Sequence, residues 1–175
     1  MNNPLYDIRD NVLDERDLND IFNNFMFNMD QKEGIHNFVN GEEIPWHVVK
    51  HNSKDSNSIR FVHFTYDQQN VTSEWFNILG PVLRELNPKS LVRIKANLFP
   101  KTTEIEEHGY NVDFPFECST SIFYLNTNNG YTKFEDGTVV ESVANRLLTF
   151  PTLCKHTSSS CTDVAARVTI NFNYF

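Results

Sequence analysis

SLVRIKANLF, residues 90–99, is where the patterning of the chain changes. Val92, Ile94, Ala96 and Leu98 alternate with Arg93, Lys95 and Asn97, the period of two that puts successive side chains on opposite faces of a strand. Downstream, strand signals recur at 119–126, 131–135, 138–142, 146–150, 153–158 and 165–174. Asn128-Asn129-Gly130 and Asp136-Gly137 supply turns between them. Upstream the patterning is mixed and includes helical stretches. Helices first and many short strands after predict a mainly β fold, a sandwich or barrel with helices on one outer face.

Two helices are expected upstream. Asp14 can cap one from about Glu15 to Asn28, with Leu18, Ile21, Phe22 and Phe25 on a single stripe. Thr72 or Ser73 can cap the other, where Trp75, Ile78, Leu79, Val82, Leu83 and Leu86 recur at helical spacing. Pro81 falls inside that pattern and predicts a kink or break, and Asn87-Pro88 ends it. Ser58 to Tyr66 reads as a strand, and 29–45 reads as loop, punctuated by Gly34, Gly41 and Pro45.

The 175 residues suit one domain, 1–175, with a mixed support at 1–89 and a β core at 90–175. Fifteen phenylalanines make rings a large part of the expected interior. A net charge of -8 and the lack of a long basic run argue against nucleic acid or an anionic membrane as partner. No apolar run reaches membrane-spanning length, and the N-terminus lacks the layout of a secretory signal. Three cysteines, Cys118, Cys154 and Cys161, form no CxxC pair, so a reduced, cytoplasmic protein is expected. The spacing of Cys154, His156 and Cys161 is not a usual zinc pattern.

The last strand sets Val168, Ile170, Phe172 and Tyr174 on one face and Arg167, Thr169, Asn171 and Asn173 on the other. Periodicity alone favours a solvent-facing polar side; the alternative is a polar face lining a wet cavity while the apolar face packs under the helices. Arg93, Lys95 and Arg146 are read as solvated charges, with Lys95 available to a substrate or co-substrate carboxylate if its face lines a cavity.

Among the six histidines, His108 and His156 stand in informative surroundings. His108 lies five residues before Asp113, and His156 eleven before Arg167. A mononuclear Fe(II) centre needs imidazoles and a carboxylate on one face of the metal, with the other face open. A 2-oxoacid bound to that iron needs a fixed cation for its far carboxylate, and an arginine offers a bidentate fork. Asp113, His156 and Arg167 supply these groups in order, and Thr169 shares the face of Arg167.

The run EEHGYNVDFPF at 106–116, the strand through Tyr124 to Asn126, the Gly130-Tyr131-Thr132 turn before Phe134, His156, and the Arg167-x-Thr169 pair together resemble the prolyl-4-hydroxylase-like branch of the 2-oxoglutarate/Fe(II)-dependent dioxygenases, in particular small members from marine bacteriophages. The resemblance covers roughly residues 90–175. It implies a double-stranded β-helix (jelly-roll) with helices packed on the larger sheet. It also implies Fe(II) and 2-oxoglutarate, with ascorbate as accessory reductant, and localisation in a host cytoplasm. Asp113 and His156 would bind iron. Arg167, Thr169 and Tyr124 would hold the distal carboxylate of 2-oxoglutarate. The reaction implied is hydroxylation of an unactivated C–H bond, on a prolyl or other peptide side chain or on a small molecule, with no catalytic group beyond the metal ligands.

One position departs from the family. Its motif is His-x-Asp, and this chain has Asn111-Val112-Asp113. An amide oxygen is a weaker iron ligand than imidazole. Three outcomes are open: His108 substitutes, with Gly109 bending the chain; Asn111 coordinates weakly beside a water; or the metal site is degenerate and the domain is a catalytically inactive jelly-roll binding module.

Overall fold

The computed structural model describes residues 5–26, 44–50 and 59–175. The elements run β1 (Asp7–Arg9), α1 (Glu15–Phe25), β2 (His47–Lys50), β3 (Ile59–Asp67), β4 (Asn70–Val71), a 3-10 helix (Glu74–Leu79), α2 (Gly80–Leu86), β5 (Leu91–Pro100), β6 (Ser119–Tyr124), β7 (Tyr131–Phe134), β8 (Val139–Glu141), β9 (Arg146–Pro151), β10 (His156–Ser158) and β11 (Ala166–Tyr174). The expected extension of α1 to Asn28, most of the 29–45 loop and the start of the strand at Ser58 lie outside the described residues, as do His36 and His51.

Local chemistry accounts for the helix ends. The Asp14 carboxylate accepts a hydrogen bond from the Asp17 backbone N–H at 2.8 Å, which starts α1. Ser73 caps the second helical segment through Trp75 N–H at 3.3 Å. Pro81, which lacks an N–H, divides that segment: a 3-10 helix precedes it and α2 begins around it. Asn87 closes α2 in the left-handed region at φ 46°.

All ladders between named strands are antiparallel. The larger sheet has the order β1-β9-β6-β11-β5-β3-β2, with β4 beside β3, and the smaller sheet has the order β10-β7-β8. These are the two sheets of a jelly-roll.

The central pair of the larger sheet decides what each of its faces carries. Val168 opposes Leu98, Ile170 opposes Ala96, and Phe172 opposes Ile94. These residues join Ile21, Phe25, Leu79 and Val82 from the helical segments in one apolar cluster. Because side chains alternate, the same register puts Arg167 beside Phe99, Thr169 beside Asn97, Asn171 beside Lys95 and Asn173 beside Arg93 on the reverse face. A second cluster, Ile122, Tyr124, Phe134, Val140, Leu148 and Phe150, draws on both sheets.

Two sequence expectations are corrected here. The polar face of β11 does not meet solvent: all nine of its residues are buried. Lys95 is only 9% exposed and is not a solvated charge; Arg93 is likewise largely enclosed. The physical reason is the same for both. The polar faces of β5 and β11 lie side by side and line an internal cavity, and alternation by itself does not distinguish a wet cavity from bulk water.

Ile170 sits at the centre of the first cluster with no exposed surface. Ile170→Ala is expected to lower the free energy of unfolding in urea by about 3 kcal/mol, the usual cost of a buried large-to-small change. A loss below about 1 kcal/mol would place this cluster outside the main core.

Candidate active site

β11 delivers Arg167 to the cavity floor, where it is 1% exposed. Its Nε donates to Ser142 Oγ at 2.7 Å and its Nη2 to Thr132 Oγ1 at 3.3 Å. The guanidinium carbon lies 5.3 Å from the Phe99 ring centroid and 5.6 Å from that of Tyr124. Among the described residues no carboxylate pairs with it. Burial lowers its pKa to about 10, which still leaves it a cation at neutral pH. An unpaired buried charge is costly, and hydroxyl dipoles offset only part of that cost.

The neighbouring turn leaves room only for this side chain. Asn126 clamps β11, donating from Nδ2 to Ala166 O at 2.8 Å and accepting from Val168 N–H at 3.0 Å. Gly130 follows, and a Cβ there would lie 2.5 Å from Ser160 O and 2.6 Å from Arg167 Cδ. Thr169 is buried on the same cavity wall as Arg167. Tyr124 stands behind that wall: its hydroxyl donates to Thr132 Oγ1 at 2.8 Å, so it reaches Arg167 through its ring and through Thr132.

Asp113 comes from the segment between β5 and β6. Asn173 Nδ2 donates to its Oδ2 at 2.9 Å, and Arg93 Nη2 lies 3.6 Å from Oδ1. Burial alone would push this carboxyl up. His156, Lys95, the Asn173 amide and Arg93 outweigh burial and hold it below the usual carboxylate range. His156 opens β10, between the rings of Phe150 and Phe134. Its Nδ1 lies 3.1 Å from Cys154 O. A carbonyl only accepts, so Nδ1 carries the proton, and in the neutral ring Nε2 keeps its lone pair. This is the second-sphere arrangement usual for a metal-ligating imidazole.

A backbone bridge brings these two groups together. Asn111 N–H donates to His156 O at 2.9 Å and His156 N–H to Asn111 O at 3.0 Å, which lays the 101–118 segment along β10. Asp113, His156, Arg167, Thr169, Asn111 and His108 all line one cavity of about 470 Å³. The side chain of Asn111 is exposed, with Nδ2 bonded to Val112 O at 3.3 Å. His108 is stacked on Phe99, with ring centroids 4.9 Å apart, and its Nδ1 lies 3.3 Å from Ser158 Oγ. Gly109 does bend the chain, with φ 85°. Among the described residues no three His, Cys, Asp or Glu side chains are close enough to share a metal ion.

Sequence reasoning did not pick out Ser142 and Thr132 as partners of Arg167, nor Arg60, which also lines the cavity. Thr132 lies in β7 and Ser142 just after β8, and of the two only Thr132 stands near the Gly130 turn in sequence. Lys95 was legible as a conditional contact, and burial with Arg93 close by draws its pKa down to about 8.

No protein-family model matches the chain, and no curated protein matches its sequence. Solved structures do resemble it. A prolyl hydroxylase from Trichoplax adhaerens, in complex with a hypoxia-inducible-factor oxygen-degradation-domain peptide, aligns with TM-score 0.62 at 14% identity, covering 98% of this chain and 83% of that one. A Pseudomonas putida prolyl-4-hydroxylase aligns with TM-score 0.57 at 10% identity, covering 97% and 91%. The fold is that of the 2-oxoglutarate/Fe(II) oxygenases. It hosts other chemistry too: SnoN, a non-haem α-ketoglutarate-dependent epimerase of nogalamycin biosynthesis, aligns with TM-score 0.62 at 13% identity over 98% of this chain and 77% of its own. Likeness at these identities speaks to fold and leaves reaction and substrate to the residues of the cavity.

Gly130 offers a test of how tightly the turn is packed against Arg167. Gly130→Ala is expected to cost about 3 kcal/mol of stability through overpacking. Gly137→Ala has open space around the new Cβ but φ 89°, and should cost about 1 kcal/mol. Urea denaturation of both variants checks the order; equal losses would contradict it.

Proposed function

We propose that this chain is a 2-oxoglutarate- and Fe(II)-dependent oxygenase that hydroxylates an unactivated C–H bond of a peptide side chain, such as a prolyl ring, or of a small molecule. One observation carries the reading: a fully buried arginine without a carboxylate partner among the described residues, at the floor of a cavity whose wall also bears Asp113 and His156. A structural arginine so deeply buried would ordinarily be neutralised by an acid of its own chain. A dicarboxylate co-substrate supplies that missing charge.

The residues fit 2-oxoglutarate well. Arg167 would hold its distal carboxylate, with Thr169 and Thr132 as hydroxyl donors and Phe99 as apolar wall. For the metal, Asp113 and His156 are donors of the right kind, the former anchored by Asn173 and the latter held in one tautomer by Cys154 O. The third family position is the amide of Asn111, with His108 on the same cavity wall. Bound Fe(II) would supply activation of O₂, one oxygen atom leaving in succinate as CO₂ is lost and the other entering the substrate C–H bond. The protein's own work is orientation and exclusion of water.

Asn111 favours a second reading, an inactive binding module on the same fold, because its side chain is turned to Val112 O. The two are separated by adding Fe(II) and 2-oxoglutarate without oxygen, looking for the visible charge-transfer band, and then admitting O₂ and measuring succinate. The oxygenase reading predicts both signals, strengthened by Asn111→His. Neither signal, before and after that change, leaves only the binding module. Arg167→Met should in addition weaken 2-oxoglutarate binding by about 2–5 kcal/mol, roughly 30-fold or more, measured by calorimetry.

A further inference from the structure

Arg167 is not the only cation inside. Lys95 on β5 and Arg60 on β3 line the same cavity, and Arg93 sits beside Asp113. Lys95 is 91% buried, as its 9% exposure implies. Among the described residues no acid lies within ion-pair distance of either Lys95 or Arg60, and Arg60 Nε is buried with no hydrogen-bond partner. Among the described residues the one carboxylate on the wall is Asp113, which is engaged by Asn173 and Arg93.

The charges do not balance once the proposed ligands are added. Among the described lining residues, Arg60, Lys95 and Arg167 against Asp113 leave two positive charges in excess. A divalent metal and the 2-oxoglutarate dianion cancel each other and leave that excess in place. Along β5, Arg167 lies opposite Phe99 and Lys95 four residues farther on.

We infer that Lys95 and Arg60 form a second anion subsite, which receives a carboxylate or phosphate group carried by the substrate. The substrate class is therefore acidic. Arg60 supplies a planar fork and Lys95 a point charge, a pair suited to either anion. As a statement about substrate this rests on the oxygenase reading; the subsite itself does not.

The test is an amide and arginine side-chain NMR titration of the whole protein with inorganic phosphate and with acetate, in the presence of Zn(II) and 2-oxoglutarate and again without them. Saturable shifts at residues 60 and 95 are expected with at least one anion, and the tighter of the two identifies the group the substrate carries. Lys95→Met keeps the side-chain stem, removes a buried charge and should retain the fold, which the same spectra report. That variant and Arg60→Gln should each weaken anion binding about tenfold, while Arg167→Met leaves it unchanged. No shifts with either anion would overturn the inference. So would shifts abolished by Arg167→Met alone, or a loss of 2-oxoglutarate affinity in Lys95→Met as large as in Arg167→Met, since both cations would then serve the co-substrate. Anion binding through Lys95 and Arg60 in a protein that fails to bind 2-oxoglutarate would instead remove the oxygenase reading and leave the subsite standing.

Discussion

A guanidinium buried without a counter-charge among the described residues is the feature around which the interior is arranged. Arg167 is held by Ser142 and Thr132 hydroxyls, lies near two aromatic rings, and excludes any side chain at Gly130. None of these neighbours is an anion. Such a site lowers the stability of the empty protein, and proteins keep features of this kind where a ligand completes them. The rest of the cavity follows the same logic: donors and cations face inward, and the apolar faces of the same strands pack outward against the helical segments.

The register between β5 and β11 makes that possible. Apolar residues on one face fix the pairing, and alternation then brings two polar columns together on the other. Asp113 is carried to this column by the 101–118 segment, whose backbone bridge to β10 also brings His156 to the same cavity. Two sequence-distant groups thus meet because one short strand pairs with one irregular segment. Asn111 contributes its backbone to that bridge and bonds its side-chain amide to Val112 O, so the position can depart from histidine without loss of the scaffold.

Much of the fold was readable because its signals are local. The caps at Asp14 and Ser73, the break at Pro81 and the alternation of β5 and β11 each depend on residues within a few positions of one another. β1, β2 and β4 were not readable: they are two to four residues long, and β1 exists through its pairing with β9, some 140 residues away. Of the site, Asp113, His156, Arg167 and Thr169 were legible as residue types in order. Their common hollow followed from the family resemblance and not from spacing, since the polar face of β11 looks the same whether it meets a cavity or solvent. The hydroxyls around Arg167 and the cation at Arg60 are brought in by tertiary packing, which leaves no trace in spacing, whereas Lys95 was legible as a contact conditional on a cavity.

A crystal structure of the protein with Mn(II) and 2-oxoglutarate tests the central claim most directly. The account predicts the distal carboxylate of the co-substrate on the Arg167 guanidinium, with the metal between Asp113 and His156. Co-substrate bound elsewhere, or Arg167 paired with an acid of the chain itself, would contradict it.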